Sequence, residues 1–363
     1  MTSEELQHND PASLREQLED ALRKRVLDGE FSGLKRLPSV RALASEFHVS
    51  LGTVSNALAS LKRQGVLSAR RKKGIFLLHE PPKRRKRTGN IGVLVEGGGD
   101  PMQDQMNFAV FNGVRAEAAD AGLNVMYLGP RERTAAGALP KGIREIDALA
   151  YVINVAPDPR VIRKVAERDM PVVMTDWFEA KLSADGIVID NDSAAKASIE
   201  HLLRQKHRRI AFINSTGQSA DERFAAYRSC LEDAGISYDP RLVTSATPNV
   251  LEGQQAMRAL LEQRPTAVFT FNDYLAIGAV LAAQSKGLSV PRDLSVVGFG
   301  NQGEVLAQGL GLRLATIKVD FVEMGRVAAR QMLKRLKGDH APASKILVPG
   351  VLVKGETTAV ARS

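Results

Sequence analysis

Between residues 31 and 90 the chain carries 14 Lys and Arg against 2 Asp and Glu, a local net of +12 in a protein whose total is +9. Residues 1–30 hold 4 against 8 and residues 91–363 hold 32 against 31, so the positive charge belongs to one short segment. A clustered cationic field attracts a polyanion, and nucleic acid is the usual one; a solvated basic face is the plainer alternative. Other chemistries find little support. His8, His48, His79, His201, His207 and His340 are scattered without the spacing of a metal-binding helix, and no G-x-S-x-G elbow occurs. Gly97-Gly98-Gly99 lacks the following Lys and Ser/Thr of a phosphate loop. The single cysteine, Cys230, has no partner for a disulfide or a thiolate metal site, which suits a reducing compartment.

The elements that would carry those cations are legible. Leu14, Leu18, Ala21, Leu22 and Val26 share one helical face, and Gly29 follows as a stop. Ser39 is a good N-cap for a second helix with Val40, Leu43, Ala44 and Phe47 facing inward. His48-Val49-Ser50 makes a tight break, and Ser50 caps a third helix whose inner face is Val54, Ala57, Leu58 and Leu61. Two short helices joined by a turn of this kind form a helix-turn-helix. Val66-Leu67-Ser68 and Gly74–Leu78 then read as a two-stranded wing with a cationic tip, Arg70–Lys73.

The stretch LPSVRALASEFHVSLGTVSNALASLKRQGVLSARRKKGIFLL resembles the winged helix-turn-helix of the GntR family, from about Leu14 to Leu78. By that resemblance Arg41 grips a phosphate, and the start of the third helix, with Ser50, Thr53, Ser55 and Asn56, enters the major groove. The wing tip, Arg71, Lys72 and Lys73, reaches the neighbouring minor groove. Where the family usually carries arginines this chain has Leu51 and Ser55. Arginine is the commonest guanine reader, so the resemblance implies an operator read through Thr53, Ser55, Asn56 and van der Waals contacts. A protein-interaction module is the competing reading of such helices, and the +12 segment favours DNA.

Pro81-Pro82 and Lys83-Arg84-Arg85-Lys86-Arg87 follow the wing. Five successive cations repel one another and stay extended. An arm along DNA, a plain tether and an import signal are the readings of this linker, in that order.

From Ile91 onward, apolar strands alternate with amphipathic helices, the pattern of parallel α/β sheets. Strands are expected at 91–95, 123–128, 148–154, 171–175, 186–190, 209–214, 241–244, 266–271 and 294–299, too many for one simple sheet. IVIDNDSAAKASIEHLLRQKHRRIAFI, ERFAAYRSCLEDAGISYDPRLV and PTAVFTFNDYLAIGAVLAAQSKGLSVPRDLSVVGFGN resemble successive motifs of the LacI-family sensor domain, which is itself similar to type I periplasmic binding proteins. The resemblance implies two lobes crossed by the chain near Asp190, near Ile317 and near Ala341–Ser344, with an effector bound between them. Carried over by position, Arg223, Asn272, Asp176 and Met102 are its ligand residues, while Asp273 is expected to cap the following helix. The acid that follows Gly-Phe in the family is Gly300 here, and the ligand-stacking aromatic is missing near Pro248. MTDWFEAKLSADGIVIDN resembles the purine-repressor branch of that family.

The resulting expectation is an α/β protein: an N-terminal winged helix-turn-helix domain over residues 1–80, a basic linker over 81–90, and a two-lobed periplasmic-binding-protein-like domain with parallel sheets over 91–363. Lobe 1 would span about 91–190 and 317–341, and lobe 2 about 191–316 and 345–360. Its function would be that of a DNA-binding repressor controlled by a small polar metabolite, a sugar first and a purine second. It would act as a cytoplasmic homodimer on a double-stranded operator, without a cofactor, a membrane or an enzymatic step. The alternatives are a pyridoxal-phosphate aminotransferase-like domain behind the same reader, and a transport-type solute-binding protein. The first would need a Schiff-base lysine where the LacI-like motifs lie. The second would need an export signal, and MTSEELQHND is polar and acidic.

Overall fold

The computed structural model describes residues 14–27, 37–63, 67–70, 74–77, 87–96, 105–131, 137–153, 157–339 and 341–362. The chain divides into two compact units, Met1–Arg87 and Thr88–Ser363. Met102, the wing tip Arg71–Lys73 and linker residues 81–86 lie outside the described residues.

In the first unit, α1 (Leu14–Leu27), α2 (Val40–Glu46) and α3 (Leu51–Arg63) are followed by β1 (Leu67–Arg70) and β2 (Gly74–Leu77). The two strands pair antiparallel with Leu67 opposite Leu77. The apolar stripes of the three helices meet in one core of Leu18, Leu22, Leu43, Val54, Ala57, Leu58 and Leu61, closed by Leu37 and Leu67. This is why helices too short to be stable alone persist: α1 and α2 each bury their stripe against α3. The break between α2 and α3 turns on His48, which takes the left-handed conformation at φ 52°.

The second unit begins with β3 (Asn90–Glu96), α4 (Gln105–Asp120), β4 (Asn124–Arg131), β5 (Ala148–Ile153), α5 (Pro159–Ala166), β6 (Val172–Thr175) and β7 (Asp185–Ile189). It continues with α6 (Asn191–Arg204), β8 (Ile210–Asn214), α7 (Gln218–Asp233), β9 (Val243–Ser245), α8 (Val250–Leu261), β10 (Ala267–Thr270), α9 (Asp273–Ser285), β11 (Ser295–Gly300) and α10 (Glu304–Gly309). It ends with β12 (Ala315–Val319), α11 (Phe321–Leu336), β13 (Lys345–Val348) and β14 (Gly350–Val353). The strands form two six-stranded sheets, in the orders β13-β7-β6-β5-β3-β4 and β14-β12-β11-β10-β8-β9. All pairings in them are parallel except β14 against β12. Every residue of β6, β7, β8, β10 and β11 is buried, as strands covered on both faces by helices must be.

The sheets define the lobes and correct two of the expected crossings. The first crossing falls at Asp190, which caps α6 by accepting from the Ser193 N–H at 3.1 Å. The second falls at Asp320, since Ile317 lies in mid-strand, paired with Phe299 of lobe 2. The third falls at Pro349, between β13 in the lobe 1 sheet and β14 in the lobe 2 sheet, rather than at Ala341–Ser344. Gly338 and Pro342 look like the natural break in the sequence, but they only turn the chain from α11 into β13. Residues 345–348 therefore belong to lobe 1.

Candidate functional site

On the helix-turn-helix unit, Ser39 accepts from the Ala42 N–H at 3.2 Å and fixes the start of α2, leaving Arg41 exposed on its first turn. Ser50 does the same for α3: its Oγ accepts from the Thr53 N–H at 3.0 Å and lies 2.8 Å from the Thr53 hydroxyl. Ser50 and Thr53 are thus tied to each other at the helix start. Ser55 and Asn56 are exposed on the next turn beside Leu51, which is 50% exposed, and they supply the polar groups that face solvent there. Arg25 of α1 pairs with Glu46 of α2 at 2.7 Å and lies over the Phe47 ring, locking the turn from outside.

Between the lobes of the second unit, Arg223 and Asp176 come together. Arg223 projects from the second turn of α7 and is 4% exposed. Its Nε donates to Asn191 Oδ1 at 2.8 Å and its Nη1 to the Phe271 carbonyl at 2.6 Å. The guanidinium lies 3.6 Å from the Phe299 ring centroid and 4.4 Å from that of Phe271. Burial pulls its pKa down to about 10, partly offset by Asp176 and Glu222, so it remains a cation at neutral pH. Asp176 follows β6 in lobe 1, in the left-handed conformation at φ 59°. Burial raises its carboxyl to about 6, against the opposing pull of Arg223 and of a 3.2 Å hydrogen bond from Ser219 Oγ. The residue as a whole keeps some exposed surface; it is the carboxylate end that is enclosed. A buried donor fork in one lobe and an acceptor in the other are thus near enough to shift each other's ionisation, and a group that both donates and accepts suits the pair.

The cap of α9 is Asn272 rather than the expected Asp273. Asn272 has extended backbone (φ −147°) and caps α9 by accepting from the Leu275 N–H at 3.0 Å. Asp273, one residue further on, is buried inside lobe 2: Oδ1 accepts from Thr316 Oγ at 2.5 Å, and Oδ2 from the N–H groups of Gln302 and Gly303 at 2.6 and 3.2 Å. Asp273 therefore ties the loop after β11 to β12, and burial raises its carboxyl to about 6 despite those donors. Gly300, where the family carries an acid, sits at φ 105°, a conformation that an L side chain rarely adopts. Sequence reading gave no role to Gln218, Ser219, Glu222 or the rings of Phe271 and Phe299, although Glu222, Phe271 and Phe299 lie within the quoted motifs.

Residues 14–77 match the gntR family of bacterial regulatory proteins, and residues 199–358 match the periplasmic binding protein-like domain. The chain is 29% identical to the HTH-type transcriptional repressor CytR of Escherichia coli over 89% of its own length and 97% of that protein's. It is also 29% identical to the HTH-type transcriptional regulator DegA of Bacillus subtilis, over 59% of this chain and 65% of DegA. The crystal structure of a LacI-family regulatory protein from Chloroflexus aggregans shares the sensor fold with a TM-score of 0.64 at 21% identity, over 75% of this chain and 99% of that one. A helix-turn-helix ahead of a two-lobed sensor defines a transcriptional regulator. This chain joins a GntR-type reader to a periplasmic-binding-protein-like domain, and its relatives include HTH-type transcriptional regulators. Its relatives are regulators rather than enzymes. Among the described residues no helix is long and apolar enough to cross a membrane.

Proposed function

We propose that this protein is a homodimeric repressor that binds a two-fold related operator through residues 1–80, with an affinity controlled by a small polar metabolite, a carbohydrate ahead of a purine, held between the lobes of residues 91–363. Arg41 and the wing tip Arg71–Lys73 would contact phosphates, and Ser55 and Asn56, with Thr53 behind them, would face base edges. Residues 81–90 would join the two units. A cytoplasmic location follows from this reading.

The observation that carries the effector class is the opposition of Arg223 and Asp176. A sugar hydroxyl accepts from a guanidinium while donating to a carboxylate, which suits this pair. The Phe271 and Phe299 rings both lie against the Arg223 guanidinium, and Phe299 is buried, so neither offers a free face to a purine. Met102 and Asn272 completed the expected ligand set. Asn272 spends its side-chain oxygen on the α9 cap, so Arg223 and Asp176 carry the proposal.

A thermal-shift screen of monosaccharides, nucleobases and related metabolites tests the effector class, because a ligand that binds only the folded state raises Tm. A shift with monosaccharides that is lost in Arg223→Ala supports the reading, and a shift with nucleobases alone overturns the sugar. For DNA, neutralising about 10 phosphates makes log affinity fall with log salt at a slope near −9. Arg41→Ala should weaken all sequences alike and Asn56→Ala should change which sequence is preferred. A salt-independent affinity, or none for fragments upstream of the protein's own gene, refutes the DNA reading.

A further inference from the structure

The polar contacts that hold Arg223 do not end in its own lobe. Its Nε donates to Asn191 Oδ1 at 2.8 Å; Asn191 Nδ2 donates to Glu222 Oε2 at 2.8 Å; and Glu222 Oε1 accepts from Lys345 Nζ at 3.0 Å. Glu222 and Arg223 are neighbours on α7 in lobe 2, Asn191 is the first residue after the first crossing, and Lys345 opens β13 in the lobe 1 sheet. We propose that Asn191, Glu222 and Lys345 are positioning residues that form a relay, through which the angle between the lobes sets the hold on the Arg223 guanidinium.

The direction of each bond makes the relay specific. Asn191 has one oxygen and one amide nitrogen; because the oxygen accepts from a guanidinium, the nitrogen must face an acceptor, and Glu222 supplies it. The Glu222 carboxylate is in turn divided between the lobes, one oxygen serving Asn191 and the other Lys345. A change of lobe angle moves Lys345 relative to α7. Glu222 then either follows it and loosens Asn191, or stays and leaves the cation. Nη1 of Arg223 is fixed independently by the Phe271 carbonyl and the ring stack, so the Nε contact is the one that lobe angle changes. Lys345 and Glu222 are 37% and 30% exposed, so this link is a soft one, suited to being made and broken. The inference rests on the reading of the cleft as the effector site. An effector that touches Arg223 would through this relay bias the lobe angle, and the lobe angle would bias it in return.

The relay is testable with neither DNA nor effector present, so its failure is separable from failure of the regulator reading. In the 15N-labelled full-length protein, the Arg223 Nε–H signal is identified by its disappearance in Arg223→Lys. Lys345 shares no bond with Arg223, yet Lys345→Met should move or broaden that signal. Lys345→Glu, which sets a carboxylate against Glu222, should move it further in the same direction, and Lys345→Arg should leave it in place. Lys345 is a surface residue, and either the Met or the Glu variant suffices if the other does not fold. A signal unmoved by the loss of the Lys345 charge, or moved equally by Lys345→Arg, overturns the relay.

Discussion

The side-chain amide of Gln218 and the backbone of Phe178 form a two-bond clasp between the lobes: Gln218 Oε1 accepts from the Phe178 N–H at 3.2 Å, and Nε2 donates to the Phe178 carbonyl at 3.1 Å. Ser219, the next residue, donates to Asp176, two residues before Phe178. Two consecutive residues of α7 thus hold the segment after β6, and Trp177, the one tryptophan of the chain, lies between the two held residues.

Trp177 should therefore report the clasp. Gln218→Ala removes both bonds, each worth about 0.5–1.5 kcal/mol net, and should red-shift Trp177 emission as the segment loosens. Gln218→Glu keeps the acceptor for Phe178 N–H but sets a carboxylate oxygen against the Phe178 carbonyl, so it should resemble the alanine variant. Emission that stays at the wild-type maximum in both would show that lobe contact does not depend on this pair.

Asp176 should make stability depend on pH. Its folded pKa is raised to about 6 while the unfolded value is 3.8, so between those values the folded state holds a proton that the unfolded state has released. Stability from this group therefore rises as pH falls from 7 towards 4. About two pKa units correspond to at most about 3 kcal/mol. Asp273 acts in the same sense, while burial lowers the pKa of His201 and His207, whose contribution is lost as pH falls below 6.5. Comparison with Asp176→Asn cancels those shared terms. The variant's advantage over wild type, read from urea midpoints, should be largest at pH 7 and shrink towards pH 4; an advantage that is flat with pH would mean that Asp176 titrates normally.

Asn272 and Arg223 should separate in their effects. Asn272→Ala removes the α9 cap and should cost about 1 kcal/mol of stability, with the affinity for the metabolite found in the screen changed less than about threefold. Arg223→Ala should cost about 1–3 kcal/mol of that affinity, because buried ligand groups lose their partner. Isothermal titration of both variants decides the matter: an affinity loss in Asn272→Ala as large as in Arg223→Ala would return Asn272 to the ligand set.

The contrast shows what the sequence could and could not reveal. Strand periodicity and helix stripes gave the alternation of elements and the inner faces of α1 to α3, because burial writes itself into residue type every two or three to four positions. Lobe membership is different. ILVPGVLV reads as two similar apolar runs, and nothing in their composition says that Ile346 pairs with Ile187 of lobe 1 while Leu352 pairs with Ile317 of lobe 2. In FND, both polar residues suit a helix start. The choice between them turned on backbone angle, with Asn272 extended and Asp273 already helical and pointing inward. Gln218 carried no signal, since its partner is the backbone of a residue 40 positions away.

The entry to the sensor unit is the last place where structure revises expectation. Asn90 already belongs to β3, paired with Asn124. Just before it, Asp147 grips the chain: its carboxylate accepts from the Thr88 N–H at 2.9 Å and from the Gly89 N–H at 2.8 Å, while Asn90 Nδ2 donates to the Glu145 carbonyl at 2.8 Å. The tether therefore ends at Thr88, anchored to the turn before β5, and lobe 1 holds it at one fixed point. A fixed anchor is what allows lobe movement to reach the segment that precedes it. Asp147→Ala should free that end, and a Gly/Ser stretch inserted before Arg87 should lengthen the path. Both should leave operator affinity and effector affinity, each measured alone, nearly unchanged. Both should shrink the factor by which a saturating effector changes operator affinity, a factor typically of about 5–150. The same insertion placed after Asn90 would instead break β3 and lower Tm. Operator titrations with and without effector, in wild type, Asp147→Ala and the insertion, give the factor directly. If it is the same in all three, coupling between reader and sensor does not run through the anchored tether.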